Sequence, residues 1–592
     1  MLDSRLIHTL PVSALPQPID ARAERLRRVF VWGTWAVASA AALAYVLRYA
    51  SNVPWMDDWE LVPWLTGARE VRPGWVWRHQ NDHRYPVTKL ALVGLARLTG
   101  GDYRASMIAC ALVLSAAAFA SLRVAARLRG RTAWTDAFFP LVMLHGGHAP
   151  NLLHHIQLLF VATAGLGVAL TLAMAGGWWR RSLPGAAASG AALLLLPLHG
   201  IMGLALTPPF VVAAAWAGAS TLRSPSERPR AILLLAAALG AALLAAAYVV
   251  GFRRATMPVP RSTLDVLRTA SEVLGASLGP VGAAAWPASA VALTVLYLLT
   301  AGLAVRAAWR RPPTRVEAAG VLAAMAGGFG VAAAIAVGRA GFGPGRGLEA
   351  RYAVLLLPLL VAVYLCWQLF GGRARRAGHA LLFLSACLAF AVSLGDAARY
   401  GRQRRAQGDA LMRDLVAGVP PGLLAARHTG SLYPSQSRLA SRLDLLRQAG
   451  HGPYRGLSAA PGPSPCADWT PGTLRPIAGH DMAWTAGSGR VTGHDPSVVL
   501  ALPAEMSLCA VRLTLSQTSS TQRPPRLKVY WARSVDGSFT GERLHSVRLA
   551  APGEQQAVVA WVDGRVDRLR LVPERRTRSL HLSRVELLPY RQ

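Results

Sequence analysis

The sequence predicts a polytopic α-helical membrane protein of about eleven transmembrane helices, followed by an all-β domain of jelly-roll or β-sandwich type. Three observations carry this prediction. The 592-residue chain is 53% hydrophobic and only 16% charged, too apolar for an ordinary soluble enzyme. Its apolar residues gather in long Ala/Leu/Val runs between positions 29 and 394, whereas the last third is rich in Arg, Pro and polar residues and has no run long enough to span a bilayer. That last third alternates short apolar stretches with turn residues instead.

The predicted spans cover 29–47, 107–124, 134–145, 152–175, 184–199, 201–217, 231–250, 287–305, 316–337, 352–369 and 380–394. Several are shorter than the ~20 residues that cross a bilayer straight. The piece 87–98 reads as a re-entrant or interfacial helix, or as the first part of a longer second span. The polar lead before position 29 runs straight into a full-length span, a pattern unlike a cleavable signal peptide.

Arginine placement tests this map, because short cytoplasmic loops collect positive residues. Arg22, Arg25, Arg27 and Arg28 precede the first span, and Arg123, Arg127, Arg129 and Arg131 follow the second. Arg180 and Arg181, then Arg223, Arg228 and Arg230, then Arg306, Arg310, Arg311 and Arg315, and finally Arg373, Arg375 and Arg376 each fall where a cytoplasmic loop is due. An odd number of spans then puts the loop 51–86 and everything after position 394 outside the cytoplasm. The expected organisation is a cytoplasmic segment 1–28, a transmembrane domain 29–395, an extracytoplasmic helical and linker region 396–465, and an extracytoplasmic β domain 466–592. The Ala/Arg/Gly-rich composition suggests a bacterial chain, and hence a plasma (inner) membrane.

The formal charge of +33 comes from 63 Lys+Arg against 30 Asp+Glu. Because the arginines sit beside hydrophobic spans, the expected partners are anionic lipid headgroups and lipid phosphates, not nucleic acid. Cys110, Cys366 and Cys387 fall in apolar helices; Cys466 and Cys509 fall in the tail and can pair there if the tail is outside the cytoplasm. No CxxC or Cys/His cluster suggests a structural metal.

In the tail, 409–416 reads as an amphipathic helix and Pro461-Gly-Pro-Ser-Pro465 as a linker. Strands are expected at 498–502, 508–515, 527–531, 557–562, 566–571 and 580–588, with turns at Asp536-Gly537 and Asp563-Gly564.

Three constellations could carry chemistry. The first external loop contains Asp57, Asp58 and Glu60, followed by Trp75, Trp77, His79 and the run Asn81-Asp82-His83-Arg84. A carboxylate at the membrane edge, beside low-dielectric material, is suited to act as a base. The competing reading makes Asp57 or Asp58 a helix cap and Trp55, Trp59, Trp64, Trp75 and Trp77 an aromatic belt. The second constellation breaks the arginine rule: Arg339, Arg346 and Arg351, with Tyr352, lie in a glycine-rich loop that the topology places outside. Guanidinium groups grip phosphate with a bidentate fork, and glycines let backbone approach a ligand closely. Snorkelling at the interface is the alternative. Arg253 and Arg254 are also external but lack the glycine framework. The third constellation is His145, His148, Asn151, His154, His155 and Gln157, in which the spacing of His154 and Gln157 puts both on one helical face. It suits polar contacts to a sugar or phosphate, or an ordinary polar turn.

An acidic pair in the first external loop, the Asn-Asp-His-Arg element behind it, and Gly338-Arg339 followed by Arg351-Tyr352 near a late span together resemble bacterial GT-C glycosyltransferases, which use polyprenyl-phosphate sugars. The resemblance covers roughly residues 29–395, and the tail resembles the galactose-binding-like β-sandwich appended to some members. It implies that Asp57 or Asp58 is the base that deprotonates an acceptor hydroxyl with inversion at the sugar carbon, and that Arg339, Arg346, Arg351 and Tyr352 hold the donor phosphate. Glu60, Asp82, His83, Arg84, His154 and Gln157 would contact substrate. Some members hold a divalent cation, magnesium or manganese, beside an Asp-x-Asp motif; here the aspartates are adjacent, so no metal ligands are assigned and the cation stays open. A transporter of lipid-linked glycan, or a non-catalytic scaffold that binds envelope glycan, are the competing functions. A transporter should show inverted repeats, and the sequence has none.

Overall fold

The computed structural model describes residues 21–252, 258–311, 314–456, 463–485, 487–520, 524–540 and 543–591. Arg253 and Arg254, and part of the expected linker, lie outside these residues. Among the described residues, nine helices are long and apolar enough to cross a membrane: Ala21–Tyr49, Arg104–Arg129, His155–Ala175, Gly200–Thr221, Arg228–Val249, Ala288–Arg310, Arg315–Phe342, Ala350–Phe370 and Gly372–Val416. Two expected spans are not such helices. The segment 184–199 is a shorter apolar helix, Leu183–Leu198. The segment 134–145 is broken into a turn of 3-10 helix, Trp134–Ala137, and the six-residue helix Phe138–Met143. For Arg129 and Arg131 to share a side with Arg180 and Arg181, this broken stretch has to complete one crossing and His155–Ala175 the other.

The break has a visible cause. Asp136 turns back to accept the N–H of Ala133, and Arg129 closes on its carboxylate at 2.8 Å while Tyr364 Oη donates to it at 2.7 Å. Side chains of both ion-pair partners are almost fully buried, where a pair survives only with its remaining lone pairs satisfied.

The chain forms two compact units. The first comprises residues up to 50, 72–92 and 104–402. Its helices close through small residues: a Cβ on Gly327 would meet the Leu206 side chain at 2.8 Å, and one on Gly328 would meet Leu359 at 2.8 Å. Dispersion contact at close backbone approach is what holds helices together where lipid removes the hydrophobic drive. The outward faces stay apolar, with Leu239, Leu243, Val291 and Leu298 each more than 60% exposed. Such faces suit hydrocarbon, not water.

The second unit comprises 51–71, 93–103 and 403–592. Of the first external loop, 51–71 falls in this unit and 72–86 in the first. Among the described residues its β domain has nine strands: β1 Thr470–Pro471, β2 Arg475–His480, β3 Met482–Thr485, β4 Ser488–Val491, β5 Ser497–Ser519, β6 Arg526–Ala532, β7 Leu544–Arg548, β8 Gln556–Pro573 and β9 Thr577–Pro589. They hydrogen-bond as one antiparallel sheet in the order β3-β4-β9-β5-β8-β6-β7, with β1 added to β9 and β2 to β5. Register shifts in β5 at 501–506 and 508–510 mark where the sheet bends. Beyond the second shift β5 pairs with β9, and before the first it pairs with β2. Leu500, Leu513, Val529, Val558 and Leu569 share the resulting core. Asp563-Gly564, expected as a turn, is a bulge inside the continuous β8, with Asp563 at φ 51°.

Cys466 and Cys509 form a disulfide across a separation of 43 residues. Closing a loop of that length removes about 4 kcal/mol of unfolded-chain entropy. Cys509→Ser is therefore expected to lower the urea concentration at which the tail becomes protease-sensitive; an unchanged midpoint would contradict this.

Candidate functional site

In the first unit, the second constellation is held by an acid that the sequence pattern does not single out. Thr263–Gly275 is an amphipathic helix whose start is fixed by the reciprocal Ser262 and Asp265 capping bonds. It buries Glu272 completely, and the two carboxylate oxygens accept the N–H groups of Gly345 and Gly347, each at 3.0 Å. A Cβ at Gly347 would come within 2.5 Å of the Thr269 carbonyl, and Gly345 has φ +83°, so the latch needs glycine at both positions. The Ser262-x-x-Asp265 spacing is a capping signal by which this helix could be found in the sequence; nothing local to Glu272 announces its partner.

The latched loop is a chain of short 3-10 turns at Ala340–Phe342, Arg346–Leu348 and Ala350–Leu356. It gathers Arg339 and Arg351 on one phenol: Arg339 Nε donates to Tyr352 Oη at 2.9 Å and Arg351 Nη2 at 3.3 Å. Arg351 also pairs with Glu349 at 2.6 Å. Arg346 reaches Glu349 only at 3.7 Å with its side chain about half exposed.

His83 joins this cluster. Its Nδ1 accepts the N–H of Ile201 at 3.4 Å, which leaves the ring proton on Nε2. Its ring lies 6.3 Å from Phe160, whose ring lies 6.3 Å from Tyr352. Burial holds the imidazole down to about 4, helped by the charges of Arg339 and Arg351 and opposed by Asp82. The folded value lies below the ordinary 6.5, so the stability from neutral His83 is complete above 6.5 and is lost as pH falls toward 4. Thermal midpoints are expected to fall over that window in wild type and to fall less in His83→Gln; identical slopes would contradict the assignment.

Arg84 has a different place from the one expected. Its backbone N–H donates to Tyr248 Oη, and its guanidinium donates to the carbonyls of Ala247 and Tyr248 at 3.1 and 2.8 Å, capping the C-terminus of Arg228–Val249. Lys89, which no sequence motif marks, is buried with Nζ donating to the carbonyls of Trp75 and Arg78 at 3.0 and 2.6 Å. Both cations thus fix the 72–92 loop in the first unit.

The third constellation lies next to the second: Ala350–Leu356 packs on Ala149–Leu152 and on Leu158–Ala175. His154 and Gln157 do not share a helical face, because His154 is in extended backbone before the 3-10 turn His155–Gln157. His154, Asn151 and Gln157 are nonetheless all buried. Both side-chain polar atoms of Asn151, and Oε1 of Gln157, are buried without a hydrogen-bond partner among the described residues. Buried amides of this kind are normally satisfied, so this is a place for water or a ligand hydroxyl.

The acidic residues belong to the second unit. Asp58 is fully buried and its Oδ2 accepts the N–H of Trp55 at 3.0 Å. Glu60 accepts from Arg438 at 2.9 Å and from Tyr433. Asp57 is half-buried at the N-terminal boundary of Asp58–Leu65 and makes no capping bond to it. The second unit also has a polar cavity of about 640 Å³, lined by Gln436, Arg533, Arg543, His545 and Asp563 among others. Among the described residues, no three His, Cys, Asp or Glu side chains gather as a metal site.

No family model and no curated protein matches the chain. Among solved structures it is similar to the arabinofuranosyltransferase AftD from mycobacteria, at 14% identity and a TM-score of 0.35, covering 94% of this chain and 59% of that one. It is also similar to the arabinosyltransferase EmbB from Mycobacterium smegmatis, at 13% identity and a TM-score of 0.29, covering 100% of this chain and 66% of that one. The chain thus spans about three fifths of the length of AftD. A likeness of this size assigns neither activity nor substrate to the chain.

Proposed function

We propose that this chain is a multi-pass membrane glycosyltransferase of GT-C type that moves a sugar from a polyprenyl-phosphate donor to a glycan, lipid or protein acceptor outside the cytoplasm of a bacterial cell. The observation that carries the reading is the pair of guanidiniums, Arg339 and Arg351, converging on Tyr352 in a loop latched by Glu272. Fixed positive charge at a loop of this kind stabilises the charge that grows on a leaving phosphate. Arg346, more exposed, would take an outer phosphate oxygen. Neutral His83 offers Nε2–H, and Asn151 and Gln157 offer amide groups, for sugar hydroxyls; Asp82 and His154 border them.

In the second unit Asp57 is the better base of the pair, because it is half-buried whereas Asp58 is fully buried. Asp57 removes the proton of the acceptor hydroxyl, the oxygen attacks the anomeric carbon from the face opposite the phosphate, and the carbon–oxygen bond to phosphate breaks with inversion. The polar cavity at Gln436 and Arg533 suits a glycan acceptor. The Cys466–Cys509 disulfide supports a tail outside the cytoplasm, where such bonds persist.

The test supplies membranes carrying matched amounts of wild type or Asp57→Asn with a radiolabelled polyprenyl-phosphate sugar pool, and scores labelled glycan. Loss of transfer in the variant with donor binding kept supports the reading; full transfer in the variant removes the base.

A further inference from the structure

The first unit also carries an apolar groove of about 980 Å³, lined by Gly200–Thr221, the end of Ala288–Arg310 and the start of Arg315–Arg339. Its origin is legible. Pro208 and Pro209 lie inside Gly200–Thr221 and remove two backbone donors there. Ala213, Ala319 and Ala323 then line it where larger side chains would fill it, together with the aromatic side chains of Trp216 and Trp309. Trp309 is 82% exposed.

The charge at one end of the groove is one-sided. Arg315 lines it, with Nε donating to the Ala308 carbonyl at 3.0 Å. Arg306, Arg310 and Arg311 are exposed on the preceding turns. The acid of the same helical turn, Glu317, lies against Gly177 on another face. A greasy slot on a membrane-facing surface, lined by tryptophan and capped by arginine, has the chemistry of one lipid: apolar tail in the slot, anionic headgroup on the guanidiniums.

We propose that this groove is a binding site for an anionic glycerophospholipid of the leaflet on the arginine-rich side, with one acyl chain between Trp216 and Trp309 and its phosphate at Arg315. The site is independent of the transfer chemistry and stands whether or not that chemistry is correct.

The test uses the full chain in nanodiscs of phosphatidylcholine doped with diazirine-tailed phosphatidylglycerol or diazirine-tailed phosphatidylcholine, followed by peptide mapping after photolysis. Labelling of 209–216 and 319–326 is expected to be stronger with the phosphatidylglycerol probe. Arg315→Gln should cut that labelling roughly fivefold, the effect of losing one arginine at a headgroup, and leave the phosphatidylcholine probe unchanged. Ala319→Trp, which fills the slot, should remove labelling by both probes at these peptides while the remaining belt is labelled as before. Equal labelling by the two probes, or labelling no stronger than on the other outward faces, would overturn the proposal as ordinary annular lipid. Displacement of the phosphatidylglycerol probe by equimolar polyprenyl phosphate but not by unlabelled phosphatidylglycerol would overturn it in favour of a carrier-lipid site.

Discussion

Asp57→Asn is expected to slow sugar transfer about 10²–10⁴-fold, the usual worth of a positioned general base. The substitution keeps the size and shape of the side chain while removing its negative charge and turning one acceptor oxygen into an amide donor, so donor binding and protein level should hold. Asp58→Asn gives the contrast. Its amide oxygen can still accept the Trp55 N–H, and its side chain is fully buried. The expected result is a much smaller loss in turnover, with any loss following the amount of folded protein. Initial rates at saturating donor, normalised to protein in the membrane, separate the two outcomes. Equal rates for wild type and Asp57→Asn would assign the base elsewhere.

Arg339→Gln is expected to cost about 10²–10³-fold in kcat, the size of effect seen when one preorganised donor to a developing oxyanion is removed. Arg339 and Arg351 share Tyr352 as acceptor, so their losses should not add: the double variant should be little worse than the worse single one. Arg346→Gln is expected to change KM more than kcat, because its side chain is half exposed and its nearest carboxylate is 3.7 Å away. Strictly additive losses across Arg339 and Arg351 would mean that they act as separate surface charges.

What the sequence conveyed best was whatever composition and periodicity encode directly. The long apolar helices stand where the hydropathy runs fall, and the Cys466–Cys509 pair formed as the placement of both cysteines in one tail allowed. The expected strands fall on β5, β6, β8 and β9, whereas β1 to β4 and β7 had no expected counterpart; two pairs of expected strands merged into the bent β5 and β8, because a bulge such as Asp563-Gly564 has the same residue types as a turn. The expected span 134–145 is not one continuous helix, and the contacts at its break join Arg129, Asp136 and Tyr364, the last more than two hundred residues away in sequence.

The site was legible only in part, for the same reason. Arginines out of place near a late span drew attention to Arg339 and Arg351, but the residues that shape their loop act across long separations. Glu272 reaches Gly345 and Gly347 from a helix that hydropathy does not mark. That Arg84 caps the carbonyls of Ala247 and Tyr248 depends on tertiary placement, which no local pattern encodes. Within the acidic pair, burial separates Asp57 from Asp58, and burial is not local to the sequence.

The most direct test of glycosyl transfer tracks both halves of the donor. Purified full-length chain in nanodiscs is given a labelled polyprenyl-phosphate sugar with an envelope-glycan acceptor, and free polyprenyl phosphate and labelled glycan are measured together. Glycosyl transfer predicts their appearance in equal amounts, and loss of both in Arg339→Gln. Donor that stays intact, whether left in place or carried across the bilayer, would contradict it.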